Sequence, residues 1–277
     1  MPELPEVQTV VNDLIAENLI GRMIVGVEIR WPKIVAEPPA GKFPELIQNR
    51  TVINISRRGK FIQIALKPQK FLFIHLRMSG RLFITTADSP LSKHEHLILV
   101  LNDGRHLRYH DTRKFGRFWL VDRPDKVVGA LGIEPLSPEF TLKALTEKLL
   151  SRHRQLKPLL LDQSVIAGLG NIYVDESLWA ARLHPNRLAD SLNDREIEAL
   201  YRSIPQVLRQ GLQNQGTSLG NGKGNFRSAG QRRGRNQEAL KVFHRTGQPC
   251  PVCDTKIERI IVGQRSTHIC PHCQTPK

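Results

Sequence analysis

Cysteine is almost absent from this 277-residue chain: there are four, and none precedes residue 250. A cysteine-free body with one terminal cluster excludes a disulfide framework and points to a metal site in a reducing compartment. Long apolar runs are missing too, so no stretch reaches the length a bilayer-spanning helix needs. The N-terminus is not a secretory signal, because Glu3, Glu6 and Asp13 interrupt it and no basic segment leads it. These absences predict a soluble cytoplasmic protein with no membrane partner.

Acidic residues are also scarce. Asp and Glu number 26 against 41 Lys and Arg, a net charge of +15. That balance suits a polyanionic partner, of which nucleic acid is the commonest; basicity for solubility alone is the alternative. The distribution favours the former. From Tyr201 to Lys277 thirteen Lys and Arg face only Glu238, Asp254 and Glu258, so most of the excess lies at the C-terminal end.

What remains is enough to fold: 40% of residues are hydrophobic, and the length allows two domains. Val7, Val10, Val11, Leu14 and Ile15 recur at helical spacing and predict a helix from Pro5 to Ile20, with Gly21 as its stop. MIVGVEI, TVINIS, FIQIAL, FLFIHL, RLFIT, HLILVL, HLRYH and RFWLV then read as eight short strands, many separated by turn formers. Eight such strands predict a β-sandwich or barrel. After about Gly129 the texture becomes helical, in TLKALTEKLLSR, LKPLLLDQ, NIYVDESLWAARL and DREIEALYRSIPQVLRQGL. The fold class is therefore α+β. The expected division is 1–130, 131–220, a mobile Gly/Arg-rich loop over 221–240 whose composition builds no core, and a cysteine ribbon over 241–277.

The ribbon is the strongest local signal. Cys250-Pro-Val-Cys253 and Cys270-Pro-His-Cys273 stand sixteen residues apart. Each Cys-x-x-Cys turn places two thiolates on one metal, giving a closed tetrahedral zinc site that leaves no position for substrate. A pair of redox dithiols is the weaker alternative. Between the doublets, ERIIVGQRSTHI reads as a hairpin turning at Gly263-Gln264, with Arg265 near its tip.

Other motifs are ambiguous by themselves. GLGNIY puts Asn171 at a helix N-terminus, where free N–H groups bind phosphate, or it is a plain capped helix. In DTRKFG, Arg113 and Phe115 share a turn able to enter a duplex, or Phe115 packs beneath a surface turn. Met78 in RMSG is a wedge or a core methionine. MPELPEV alone reads best as a helix start. Its second possibility is chemical: once Met1 is removed, Pro2 carries a secondary amine able to form an iminium with a sugar carbon, and Glu3 is within reach for proton transfer.

Taken together and in order, MPELPEV, Lys60 in SRRGKF, Met78 in HLRMSG, DTRKFG, GLGNIY and the terminal ribbon closely resemble the formamidopyrimidine-DNA glycosylase (MutM) family from end to end. The resemblance implies an N-terminal helix and β-sandwich, a helix-two-turn-helix domain, a finger with one structural Zn2+, and damaged double-stranded DNA in a basic cleft, bound by a monomer. It implies excision of oxidised purines. Pro2 matches the nucleophile, Glu3 the sugar-protonating acid, and Lys60 and Arg265 the residues serving the phosphates and later eliminations. Met78, Arg113 and Phe115 match the residues that fill the void left by a flipped base. His94 and Asn171 match DNA contacts, and Arg152 or His153 a further basic one. One region departs from the pattern: after GTSL, an aromatic glycine-rich stretch is replaced by GNGKGNFRSAGQRRGRNQ. Two rival readings are an endonuclease VIII-like enzyme for oxidised pyrimidines, which carries glycine where this chain has Leu4, and a non-catalytic zinc-ribbon DNA-binding protein.

Overall fold

The computed structural model describes residues 1–220 and 226–276 and divides into two compact units. The first comprises Met1–Ala130 and Asn214–Arg235, the second Leu131–Gln213 and Asn236–Lys277.

In the first unit, helix α1 (Leu4–Ala16) precedes strands β1 (Met23–Ile29) and β2 (Val35–Glu37), a short α2 (Phe43–Ile47) and β3 (Arg50–Arg58). Then follow β4 (Phe61–Lys67), β5 (Lys70–His75), β6 (Gly80–Thr86), β7 (Glu95–Leu101), β8 (Arg105–Asp111), β9 (Arg117–Val121) and a one-turn α3 (Asp125–Val128). The strands run in the order β2-β9-β5-β4-β3-β1-β7-β8-β6. Two halves meet where β1 and β3 share only the pairs Met23↔Thr51 and Ile24↔Arg50, and the sheet folds there into a sandwich. Alternation drives this burial: Ile62, Ile64 and Leu66 of β4 point inward and meet Val7, Val10, Val11 and Leu14 of α1 in one core. All eight expected strands are present; three-residue β2 is additional.

Helix α1 stops earlier than the hydrophobic pattern suggests. Asn18, not Gly21, takes the left-handed conformation that ends it, at φ 55°. The N–H of Asn18 then reaches the Ile15 carbonyl and that of Leu19 the Leu14 carbonyl, satisfying the last turn. Leu19, which resumes the apolar stripe, is buried beyond the helix rather than in it.

The Gly/Arg-rich segment also differs from its composition. Residues 221–225 of that expected loop lie outside the described residues. From Phe226 onward it contributes to the first unit's core through buried Phe226 and Ala229. The buried Asp13 carboxylate of α1 accepts the Gly230 N–H at 2.8 Å and the Arg232 guanidinium at 2.6 Å, and Ser218 Oγ binds the Phe226 carbonyl at 2.7 Å. Two apolar residues and one buried acid are enough to dock a segment whose average polarity predicts no core.

The second unit packs α4 (Leu142–Leu150), α5 (Leu156–Leu161), α6 (Asn171–Ala180) and α7 (Asp194–Gln213) with the hairpin of β10 (Glu258–Val262) and β11 (Arg265–Ile269). The hairpin turns at Gly263 and Gln264, both at positive φ (53° and 61°), a two-residue turn that suits the strand twist.

Candidate active site

Chemistry-bearing residues of the first unit gather in two places. The first is the start of α1. Pro2 and Glu3 are buried there although Met1 before them is exposed. The Glu3 N–H donates to Glu6 Oε2 at 2.8 Å, and the Thr217 N–H donates to Glu6 Oε1 at 2.7 Å. Glu6 thus uses one oxygen to cap its own helix and the other to hold the 214–235 segment. Sequence reading makes MPELPEV a helix start and gives Glu6 no tertiary partner; one 211 residues away could not be read from spacing.

Lys60 is buried in the two-residue turn between β3 and β4, after Gly59 at φ 56°. Arg57 fastens that turn to α1: its Nε donates to Gln8 Oε1 at 3.1 Å and its Nη1 to the Gly59 carbonyl at 2.9 Å. Beside Lys60 sits His75, the first residue of HLRMSG, to which sequence reading gives no role. Burial, then the charges of Arg77 and Lys60, push its pKa down to about 3. His75 Nδ1 accepts the Arg77 N–H at 3.0 Å, so the neutral ring carries its proton on Nε2.

The second place is organised by Asp111, fully buried at the end of β8. Its carboxylate accepts N–H bonds from Arg113 (3.1 Å), Phe115 (2.9 Å) and Gly116 (2.8 Å), and the Ser79 hydroxyl. One acid therefore ties the DTRKFG turn to the RMSG turn. Tyr109 explains the two glycines: a Cβ on Gly80 would lie 2.1 Å from its hydroxyl, and one on Gly116 1.6 Å. With the turn backbones committed inward, Met78 and Phe115 project at 39% and 45% exposure, and the Arg113 guanidinium sits 4.8 Å from the Phe115 ring centre. Both protrude rather than pack beneath their turns. His94 joins them, its carbonyl accepting the Asp111 N–H at 2.9 Å.

Burial alone would raise the Asp111 pKa, but bonds from Ser79, Gly116, Arg113 and Phe115 outweigh it and hold the carboxyl below its ordinary value. A depressed carboxyl stabilises the fold above its unfolded pKa and loses that contribution as pH falls from about 4. Asp111→Asn should therefore cost about 3 kcal/mol at pH 7, and less at pH 3, where the unfolded acid is already largely protonated and the depressed carboxyl's contribution is being lost. Denaturant midpoints at the two pH values check this; an equal cost at both would refute it.

In the second unit, Asn171 and Lys157 meet at Ser266, the residue after Arg265. Asn171 Nδ2 and Lys157 Nζ both donate to the Ser266 carbonyl at 2.9 Å, and Lys157 also binds Asp175 Oδ1 at 2.6 Å. Asp175 Oδ2 accepts the His268 N–H at 2.8 Å. The Lys157–Asp175 pair is fully buried, so either charge alone would be costly; together they fix β11. Gly263 makes the turn fit, because a Cβ there would come 2.7 Å from Pro158 Cγ. The hairpin that carries Arg265 is thus aimed by α5 and α6. Gly170 caps α6 and Asn171 is its first residue, with Oδ1 buried and without a partner among the described residues. Arg152 folds back on the Lys148 carbonyl (3.2 Å) and Ser151 Oγ (3.0 Å), while exposed His153 binds Asp190 at 2.8 Å. Neither shares a hydrogen bond with Asn171 or the hairpin among the described residues.

The four Cys Sγ atoms lie within 4.8 Å of one another and form no disulfide. Sulfur separations of 3.4 Å (Cys253–Cys270), 3.5 Å (Cys253–Cys273) and 4.0 Å (Cys250–Cys273) bracket the ~3.8 Å edge of a tetrahedron with Zn–S bonds of about 2.3 Å. The donor set fits one structural Zn2+ held by Cys250, Cys253, Cys270 and Cys273.

Comparison with known proteins decides the family. Sequence models of the formamidopyrimidine-DNA glycosylase N-terminal domain, of its H2TH domain, and of a zinc finger found in FPG and IleRS match residues 1–118, 131–221 and 247–276. The formamidopyrimidine-DNA glycosylase of Protochlamydia amoebophila is 47% identical over 274 residues, covering 99% of each chain. That of Herpetosiphon aurantiacus is 47% identical over 99% of this chain and 100% of its own. This chain belongs to the formamidopyrimidine-DNA glycosylase family. Solved members superpose throughout. A substituted Lactococcus lactis FPG, bound to a Fapy-dG containing DNA, gives a TM-score of 0.91 at 35% identity, covering 99% of this chain and 100% of its own. The Thermus thermophilus MutM (FPG) protein gives 0.89 at 37% identity over the whole of both chains. Within this family frame, short motifs did not reveal the role of Glu6, Asp111 and Asp175 as buried hubs, although the first two lie inside MPELPEV and DTRKFG.

Proposed function

We propose that this family member is a bifunctional base-excision enzyme, a glycosylase and abasic-site lyase that removes 8-oxoguanine and formamidopyrimidines from duplex DNA. The observation that carries the reading is the buried Pro2-Glu3 pair at the start of α1, with Glu6 already committed to backbone N–H groups. Once Met1 is removed, the Pro2 nitrogen is a secondary amine at the positive end of a helix, which disfavours its ammonium form. Its lone pair attacks C1′, the bond from C1′ to the base breaks, and the base leaves. Glu3 protonates the ring oxygen as the sugar opens to the iminium. Lys60 and Arg265 hold phosphates and serve the β- and δ-eliminations that break the C3′–O and C5′–O bonds. Hydrolysis of the remaining iminium frees Pro2.

Reaching C1′ requires the damaged nucleotide to leave the stack. Met78, Arg113 and Phe115, held out by Asp111, occupy the space it vacates and offset part of the unstacking cost. His94 and Asn171 contact the DNA, and Arg152 or His153 supplies the basic contact before Lys157. The zinc does no chemistry; it fixes the hairpin of Arg265. The reading extends to a monomer acting in the cytoplasm on chromosomal DNA; among the described residues no helix is long and apolar enough to cross a membrane.

Excision assays on duplexes carrying 8-oxoguanine or thymine glycol test the substrate. We expect at least about tenfold faster release of the purine lesion. Activity on the pyrimidine lesion alone would overturn the assignment in favour of the endonuclease VIII type.

A further inference from the structure

We propose that His244 is an additional seat for a DNA backbone phosphate, formed with Arg259 on one face of the zinc hairpin. The inference rests on the DNA-binding reading above.

The turn before His244 is rigid. The buried Glu176 carboxylate accepts the N–H groups of Lys241, Val242 and Phe243 at 2.8, 2.9 and 2.8 Å. His244 follows in the left-handed region, at φ 60°, where a residue with a Cβ is uncommon and glycine is easily accommodated. Its imidazole does not turn inward. It stacks on the Phe243 ring at 4.7 Å and 24°, with His268 at 5.5 Å. Phe243 is buried and meets His268 edge-on at 5.0 Å. The ring is therefore oriented by packing while remaining exposed, and it makes no hydrogen bond among the described residues.

The surroundings favour an anion. Arg259 and His268 are paired across β10 and β11, so their side chains share a face. Arg259 Nε donates to Ser266 Oγ at 2.7 Å, and no carboxylate of the described residues forms an ion pair with it. Facing His244 are Arg259 from β10 and His268 from β11; Asp175 of α6 lies behind His268, which it binds at 3.3 Å. Arg245, next in the chain, is committed to the Lys241 and Pro249 carbonyls. Burial, then His268 and Arg259, hold the imidazole below its ordinary pKa. At neutral pH it therefore offers a phosphate one neutral N–H. An arriving phosphate favours the imidazolium, so binding takes up a proton and tightens as pH falls. The same hairpin carries Arg265, which places the seat on the element already argued to grip the backbone.

The test uses the full-length zinc-loaded protein and a duplex with a tetrahydrofuran abasic analogue, which is bound but not cleaved. His244→Gly keeps the backbone conformation without strain, and His244→Gln keeps a neutral hydrogen-bonding side chain. We expect His244→Gly to lose about tenfold in affinity at pH 6 and about threefold at pH 8. The slope of log affinity against log salt should be shallower by about one at pH 6 only. His244→Gln should recover most of the pH 8 loss and little of the pH 6 loss. Variants that bind within twofold of wild type at pH 6, or whose loss and salt slope ignore pH, would overturn the seat. Failure of the wild-type chain to bind the duplex would instead overturn the DNA-binding reading.

Discussion

Protein that retains Met1 should form no borohydride-trapped adduct with abasic-site DNA and should release no damaged base, whereas trimmed protein should do both. While Met1 is attached, the Pro2 nitrogen is a tertiary amide whose lone pair is delocalised, and it is not a nucleophile. Chemistry at this position therefore depends on one hydrolytic step before any DNA is met. The loss should be on the order of a thousandfold or more in single-turnover rate, because nothing else in the proposed mechanism replaces the nucleophile. Pro2→Gly separates amine from ring. It keeps a terminal amine after trimming but loses the secondary nitrogen and the fixed φ, so trapping should slow by roughly tenfold rather than vanish. Mass spectrometry of the trapped species locates the sugar on the N-terminal residue. Full activity in protein shown to retain Met1 would eliminate Pro2 as the nucleophile.

The elements of this fold were legible wherever apolar residues alternate or recur between turn formers, as in β4 and α7, because that pattern is what the core selects. The cysteine ribbon was legible because metal geometry restricts spacing. What was not legible is the set of buried acids. In sequence, Glu6, Asp13, Asp111, Asp175 and Glu176 look like solvated charges, yet each is a hub for backbone N–H groups or cations. Their partners explain why. Thr217 is 211 residues from Glu6, Arg232 is 219 from Asp13, and His268 is 93 from Asp175. No local rule encodes pairs at such distances. The same reasoning accounts for the 226–235 stretch: its mean polarity is a sum over residues, whereas docking depends on Phe226, Ala229 and one complementary acid. The glycines of RMSG and DTRKFG look like ordinary turn residues in sequence, and their steric reason, a shared Tyr109 hydroxyl, needs the β6–β8 pairing to appear. Motif order placed the candidate residues; the acids, whose partners no motif encodes, hold them there.

Stripping the metal, or Cys250→Ala, should weaken binding to abasic-analogue DNA by about a hundredfold or more while leaving the first unit folded. The local core around the cysteines is small, with Val242, Ile257, Cys250 and Cys270 at its buried centre and Trp179 against it. So small a cluster cannot hold a hairpin unaided, and four thiolates brought this close repel unless a cation neutralises them. Without zinc, β10 and β11 lose one anchor. Another is the Lys157–Asp175 pair, which depends on β11 in turn: Lys157 binds the Ser266 carbonyl, and Asp175 binds the His268 N–H. A fully buried lysine deprived of that carbonyl is left under-solvated, so the two anchors should fail together. The hairpin residues Arg259 and Arg265 would then lose their fixed direction. The first unit has no part in this: its core is built from α1, α2, the sandwich strands, Phe226 and Ala229 and contains no cysteine. Its thermal transition should persist after chelation, followed by far-ultraviolet circular dichroism, while DNA affinity falls. Affinity that survives removal of the metal would show that the ribbon does not clamp the DNA.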